Sequence, residues 1–418
     1  MLHLNFSSTM EQLPGDKWQK LFQKHWPAYK AWFHSKGAFN NPDLDKAQDE
    51  LKKYMPEWIG TYEKLCALAG NDKSAARFLT GYQPPAYITG CSQAVWQNKP
   101  QLVRNYDYHP NLCEGTLLNS AWNGKHVIAV GDCLCGVVDG MNSDGLVASL
   151  TFGGRKVVGK GFGIPFILRY VLEFCSDVQE ATEVLKRIPS HMSYNVAVLD
   201  KTGAFKMLQI APDRKTKVTD LPVSTNHQGE IDWPEHASFS KTLQREKFLI
   251  NKLADENLTE EKIAESFLEP PLFNRQYSDG FGTIYTSVYR PAEGYMELRW
   301  ENESLRQSFA DFEEGDLLIS YTEKAPSKIP QDADSVDVPS ASAYQYQYDI
   351  PDWEAYGKAW GSGNSYELSQ IIAKTIGTAL GIADTPAMKK IFDEISNETK
   401  VKGQIPWEML ADVWATVK

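Results

Sequence analysis

Gly90-Cys91-Ser92-Gln93-Ala94-Val95-Trp96 is followed, across the turn Asn98-Lys99-Pro100, by Leu102-Val103-Arg104-Asn105-Tyr106-Asp107-Tyr108. Both runs are β-prone, and the turn between them reads as a hairpin. Just upstream stands Tyr82-Gln83-Pro84-Pro85. A strand does not run easily through two prolines, so Cys91 lies at the start of a new element. In such a hairpin Asp107 returns close to the head of the first strand. A Gly-Cys pair alone says nothing, because a lone cysteine is most often a small buried hydrophobe. Its neighbours have to give it meaning.

Working outward, residues 1–90 read mostly as helix. Trp18, Leu21, Phe22, His25 and Trp26 fall at helical spacing. A second helical pattern covers 42–69 with a break at Pro56, and a short third lies near 73–80. From 91 to 325 the character changes. Beyond the hairpin, Val127–Gly131, Leu146–Phe152, Asn195–Leu199, Phe205–Ile210 and Val223–Asn226 are short β-prone runs. So are Thr283–Tyr289, Met296–Trp300 and Leu317–Tyr321. Helical patterns interrupt them at 163–175, 177–188, 238–254 and 259–268. Hairpin-like spacing favours antiparallel sheets, and helices grouped between strand sets indicate a layered α+β fold. Residues 326–345, rich in Pro, Asp, Ser and Ala, read as a linker. Residues 346–418 return to helix, with amphipathic stretches at Ser365–Leu380 and Met388–Ser396.

Composition limits the function classes. The chain has 418 residues and 42% hydrophobic residues, enough for a sizeable core. A net charge of −11, with no basic stripe interleaved with aromatics, argues against nucleic acid and against anionic membrane surfaces. No apolar run is long enough for a transmembrane helix. The start, Met-Leu-His-Leu-Asn-Phe-Ser-Ser, lacks the pattern of a secretory signal. Six cysteines are too sparse for a disulfide framework, so reduced thiols in a cytoplasm are the expectation.

A thiol that cleaves an amide needs a base, an oxyanion stabiliser and a fixed geometry. If the Gly90–Cys91 bond is cut, Cys91 supplies both the sulfur and an α-amine with an ordinary pKa of about 7.7–8.0. That amine takes the thiol proton directly or through water, and no separate histidine is required. The charge of Arg104 favours the thiolate, and Asp107 holds or orients the amine. The alternative for Arg-Asn-x-Asp is an ordinary hairpin surface pair, which is worth little.

From Cys91 to Tyr321 the chain resembles the linear-amide branch of the N-terminal-nucleophile (Ntn) hydrolases. That branch includes choloylglycine hydrolases, V-type penicillin acylases and the acyl-CoA:6-aminopenicillanate acyltransferases, the last being the nearest. The resemblance rests on Gly90-Cys91, Arg104-Asn105-Tyr106-Asp107, Asp139-Gly140-Met141-Asn142-Ser143-Asp144-Gly145-Leu146, Tyr194-Asn195-Val196 and Ser224-Thr225-Asn226-His227, in that order. It implies a four-layer αββα sandwich with antiparallel sheets. It implies Cys91 as a nucleophile cleaved from Gly90 by its own thiol, Arg104 beside it, and Asp107 at the α-amine. It further implies Asn195 as oxyanion donor and, on a looser match, Arg245 as a later active-site arginine. One departure stands out. Where bile salt hydrolases carry a second asparagine near the pocket, this chain has Thr151, a tentative oxyanion donor.

Other features carry less. Cys133-x-Cys135 has His126 nearby but no further ligands at metal spacing, and reads as buried thiols. Residues 153–163 are glycine-rich without the ending of a phosphate loop, and read as a mobile loop over the pocket. His227 lacks the local sequence of a papain-type dyad. No metal or cofactor is implied. The leading function is hydrolysis of a linear, non-peptide acyl amide through a thioester on Cys91. The second is acyl transfer from a thioester such as acyl-CoA to an amine. The third is a non-catalytic scaffold that keeps the fold. Residues 1–90 are a candidate propeptide, and 346–418 either packs on the core or mediates a homo-oligomer.

Overall fold

The computed structural model describes residues 2–322 apart from 36, 40 and 278. The linker expected at 326–345 and the helices expected within 346–418 lie outside the described residues. In chain order the strands begin with β1 (Leu2–Glu11), β2 (Gly90–Trp96), β3 (Gln101–Tyr108), β4 (Thr116–Ser120), β5 (Val127–Asp132), β6 (Gly136–Asn142), β7 (Val147–Phe152) and β8 (Tyr194–Leu199). They continue with β9 (Phe205–Ala211), β10 (Arg214–Thr219), β11 (Val223–Ser224), β12 (Arg275–Gln276), β13 (Phe281–Arg290), β14 (Tyr295–Arg299), β15 (Ser304–Ser308) and β16 (Gly315–Tyr321). The helices are α1 (Asp16–Ser35), α2 (Leu44–Tyr54), α3 (Ile59–Leu68), α4 (Lys73–Leu79), α5 (Ile164–Phe174), α6 (Val178–Arg187), α7 (Pro234–Phe239), α8 (Thr242–Leu253) and α9 (Glu260–Ser266).

Two sheets organise these strands. The larger runs β10-β9-β8-β7-β6-β5-β4-β1-β16, and the smaller runs β11-β2-β3-β13-β14-β15. β2 and β7 meet face to face, as do β13 and β6, so the sheets form the two inner layers. α5 and α6 cover the outer face of the large sheet, and α8 and α9 cover the outer face of the small one. This is the αββα arrangement; the β2/β3, β3/β13, β13/β14 and β14/β15 pairs and those from β4 to β10 are antiparallel, and β1 lies parallel to β4. Strands β7 and β8 are buried along their whole length, as short apolar runs bounded by turn signals should be.

Local signals set the helix ends. Asp43, Asp72, Asp177 and Thr259 are N-caps whose side chains accept from a backbone N–H in the first turn of α2, α4, α6 and α9. The expected helix over 238–254 is broken in two, because Lys241 adopts a left-handed conformation with φ 51° between α7 and α8. After β5, Cys133 and Leu134 both have positive φ, so Cys133-x-Cys135 lies in a tight turn, and both thiols are buried as expected.

The leader contributes more than helices. β1 enters the large sheet between β4 and β16. His3–Asn274 and Phe281–Ser320 form one compact unit, so the leader and the strand domain are not separate bodies. Met1–Leu2, Arg275–Gly280 and Tyr321–Lys418 form the other unit, most of it outside the described residues.

Candidate active site

The register of the β2/β3 hairpin sorts the site residues onto two faces. Cys91 pairs with Tyr106, Gln93 with Arg104, Gly90 with Asp107 and Ser92 with Asn105. Directly paired residues share a face, and successive residues alternate. Cys91, Gln93, Arg104 and Tyr106 therefore face the space between the sheets. Gly90, Ser92, Asn105 and Asp107 face the helical layer.

On the inner face Arg104 is fully buried and held at every nitrogen. Its Nε donates to Leu150 O at 2.8 Å, and its Nη1 donates to Asp139 at 2.5 Å and to the Tyr285 hydroxyl at 3.2 Å. The remaining Nη2 points at Cys91 Sγ, 3.2 Å away. Tyr285 and Tyr289 donate to Asp139 as well. Burial first, and the charge of Asp139 second, push both tyrosine pKa values well above their ordinary value, so both remain donors. Burial works against the charge on Arg104, but the Cys91 and Asp139 groups outweigh it and raise its pKa. The guanidinium is thus a permanent cation aimed at the sulfur.

On the outer face Arg245 comes in from α8. Its Nε donates to Ser240 O at 2.7 Å, which fixes the side chain at the α7/α8 break. Its Nη1 donates to Cys91 O at 2.9 Å, to Ser92 Oγ at 2.8 Å and to Asp107 Oδ2 at 3.3 Å. Its Nη2 donates to Asn226 Oδ1 at 2.6 Å. Asp107 also accepts from Thr283 Oγ1 at 2.7 Å. The same Asn226 oxygen accepts the backbone N–H of Cys91 at 3.2 Å. The nitrogen of Cys91 therefore lies within an acidic and amide environment, and its sulfur beside a cation.

Burial raises the pKa of the Cys91 thiol, with Arg104 opposing. Burial likewise raises the Asp107 carboxyl, with Arg245 and Thr283 opposing, and lowers Arg245. A thiol in such a place is a poor nucleophile until a base and a cation act on it together.

Gly90 has a steric reason. A Cβ there would lie 2.1 Å from the ring of Phe281, so no other residue fits without displacing that ring. Gly154, in the glycine run expected as a loop over the pocket, has φ +68° and would bring a Cβ within 2.2 Å of Asn226 O. The run lets the backbone pass close behind Asn226.

The structure brings together Gly90, Cys91, Arg104, Asp107 and Arg245. Asn195 and Thr151 stand differently. The Asn195 amide donates at 3.0 Å to each of Thr151 Oγ1, Thr225 O and His227 O. Thr151 donates to Thr225 O at 2.8 Å. These side chains brace β7 and β8 against the chain after β11. Asn226 sits at Cys91 instead, with its Nδ2 on Phe152 O at 3.2 Å. The signal for it is the motif Ser224-Thr225-Asn226-His227, to which sequence reading attached no role.

The αββα sandwich and a family match place the chain in the class of Ntn hydrolases and acyltransferases that act on amides; its buried Cys91 thiol stands in β2, next to the edge strand β11, between two arginines. More narrowly, residues 96–305, half of the 418-residue chain, match the family described as acyl-coenzyme A:6-aminopenicillanic acid acyl-transferase, and the chain belongs to that family. The match begins beyond Cys91. Among solved structures, a mutant conjugated bile acid hydrolase from Clostridium perfringens is similar at 14% identity, covering 56% of this chain and 97% of that one, with a TM-score of 0.35. Penicillin V acylase from Agrobacterium tumefaciens is similar at 14% identity, covering 53% and 86%, with a TM-score of 0.37. The Caenorhabditis elegans ortholog of N-acylethanolamine-hydrolyzing acid amidase is similar at 17% identity, covering 49% and 93%, with a TM-score of 0.35. No curated protein matches the chain. Among the described residues, no helix is long and apolar enough to cross a membrane.

Proposed function

We propose that this protein is a self-processing cysteine amidase for small acyl amides. The carrying observation is the buried pair Arg104 Nη2 and Cys91 Sγ at 3.2 Å, with Asp107 opposite Gly90 in the same hairpin. In processing, the Cys91 sulfur adds to the Gly90 carbonyl and the C–N bond breaks. The acyl group passes to sulfur and the amine of Cys91 is freed. Water then cleaves the thioester, leaving a Gly90 carboxylate and a free thiol.

In turnover the freed α-amine is the base. Asp107, and the Asn226 oxygen that now accepts the Cys91 N–H, hold it in place. It takes the thiol proton, and Arg104 favours the sulfur anion. The thiolate attacks the amide carbonyl, and the α-ammonium returns its proton to the leaving amine. Water releases the acid. The oxyanion donor in this reading is Asn226, which spends one amide hydrogen on Phe152 O and keeps the other, whereas the amide hydrogens of Asn195 are engaged by three protein acceptors. Arg245 ties Cys91, Asp107 and Asn226 into one unit as a positioning residue.

Acyl transfer is the second reading, favoured by the family description. It uses the same thioester, with an amine in place of water and acyl-CoA as a candidate donor. Cleaved protein is incubated with N-acyl p-nitroanilides of graded acyl length, with and without an added amine. Release of p-nitroaniline that is lost in Cys91→Ala supports the amidase. Acyl-amine product formed in preference to free acid assigns the transferase. A Cys91→Ala variant as active as the wild type defeats both.

A further inference from the structure

Two side chains on the wall beside the site are buried without hydrogen-bond partners among the described residues. His236, on α7, is 5% exposed, and neither ring nitrogen has a partner. Ser240, 2% exposed, has an unpartnered hydroxyl. The two residues are one helical turn apart, joined by the Ser240 N–H donating to His236 O at 2.9 Å. Each such buried polar atom costs about 1–3 kcal/mol when left unsatisfied, so a ligand that satisfies all three is favoured. The His236 ring is walled by Phe152 at 5.2 Å and by Trp233 at 5.0 Å between centroids.

The position relative to the scissile bond is set by aromatic contacts. The Phe281 ring lies against Gly90, the acyl side of that bond. Phe239, the last residue of α7, packs edge-on against Phe281 at 4.9 Å. Ser240 O anchors Arg245, which holds Cys91 O. In a substrate, the acyl group takes the place of Gly90. The segment that carries His236, Phe239 and Ser240 therefore reaches the acyl side through Phe239.

We propose that His236 and Ser240 form a polar subsite for an uncharged hydrogen-bonding group, such as a hydroxyl, on the acyl part of the substrate. This rests on the amidase reading for what occupies the acyl side. The charge preference follows from the surroundings. Burial, with the charge of Arg245 second, lowers the His236 pKa to about 4, so the imidazole is neutral near pH 7 and offers one donor and one acceptor. Ser240 offers the same pair. The charge of Arg245 is balanced by Asp107. A neutral group that both donates and accepts matches this site, and a carboxylate does not.

The test uses the full-length cleaved protein and a ladder of straight-chain acyl p-nitroanilides, butanoyl to octanoyl. Each is compared with its ω-hydroxy and ω-carboxy counterpart. In parallel, thermal stabilisation is measured with the matching primary amides, which needs no turnover. The expected result is a rung at which the ω-hydroxy compound exceeds its parent by about tenfold in kcat/KM and stabilises the protein more. His236→Phe, which keeps an aromatic ring, and Ser240→Ala, which removes one oxygen, each bring that ratio towards one. The proposal is overturned if no rung prefers the hydroxyl in either readout, if the ω-carboxy series is preferred, or if the preference survives both substitutions. A hydroxyl-dependent stabilisation without any hydrolysis overturns the amidase reading and leaves the subsite standing.

Discussion

Cys91 depends on residues from four elements. Arg104 comes from β3, Asp139 behind it from β6, Arg245 from α8 and Asn226 from the chain after β11. The Arg104–Asp139 pair has no exposed surface on either side chain, so removal of one partner strands the other charge in a low dielectric. On the proposed mechanism the two asparagines differ in what their removal does to the rate. Asn226→Ala is expected to lower kcat about a hundredfold to a thousandfold, the range for one oxyanion donor, and to lower stability as well, because Arg245 Nη2 and the Cys91 N–H lose their acceptor. Asn195→Ala is expected to leave kcat nearly unchanged while leaving the carbonyls of Thr225 and His227 without their donor and lowering stability by about 1–3 kcal/mol. Steady-state rates and urea titrations of both variants decide it; a rate loss confined to Asn195→Ala would contradict this assignment. Gly90→Ala is expected to cost about 1–3 kcal/mol by overpacking against Phe281 and to slow processing, with Phe281→Leu restoring part of both. Most of these residues were legible from Cys91, Arg104 and Asp107 in one hairpin. Asn226 was not, because its role comes from a tertiary approach of a two-residue strand to β2.

At the scale of elements, the leader is held by a strand as well as by helices. Ser7 to Glu11 of β1 pair with Thr116 to Ser120 of β4, and β16 lies on the other side. Cleavage at Gly90–Cys91 leaves this pairing intact. The cleaved fragments are expected to co-elute on gel filtration under native conditions and to separate only in denaturant; a catalytic fragment eluting alone would contradict the pairing. The hairpin β2/β3, the runs β7, β8, β9, β13 and β14, and helices α5, α6 and α9 were readable because apolar period and turn chemistry agree there. β1 carried a period-two signal at Leu2, Leu4 and Phe6 that the helical residues after it masked. β10 and β15 are polar strands, and β6 holds Gly136 and Gly140, so neither composition nor periodicity marks them. The α7/α8 break is a backbone choice at Lys241 that no side-chain pattern announces.

Across the whole molecule, one buried acidic cluster joins the leader to the strand domain. The Tyr29 hydroxyl, from α1, donates to Glu114 at 2.7 Å and to Asp132 at 3.0 Å. Burial first, then the charge of Asp132, holds the Glu114 carboxyl above its ordinary range, and burial raises Asp132 as well. Between the ordinary carboxylate range and the raised one the folded pair holds a proton that the unfolded chain releases, so its stabilisation is lost as pH rises through that window. Buried neutral imidazoles at His25 and His191, lowered to about 4 by burial, act in the opposite direction over part of the same range. The contribution of the cluster is therefore read by difference. Glu114→Gln, a permanent mimic of the protonated acid, is expected to gain stability relative to wild type as pH rises from about 5 to about 8. Urea titrations at both values check it, and a constant difference would contradict it.

The account turns on one bond. Intact mass under denaturing conditions, for the wild type and for Cys91→Ala, reads it directly. The prediction is two fragments in the wild type, one ending at Gly90 and one beginning with Cys91, and a single uncut chain in the variant. An uncut wild type that still hydrolyses amides would contradict the free-amine mechanism.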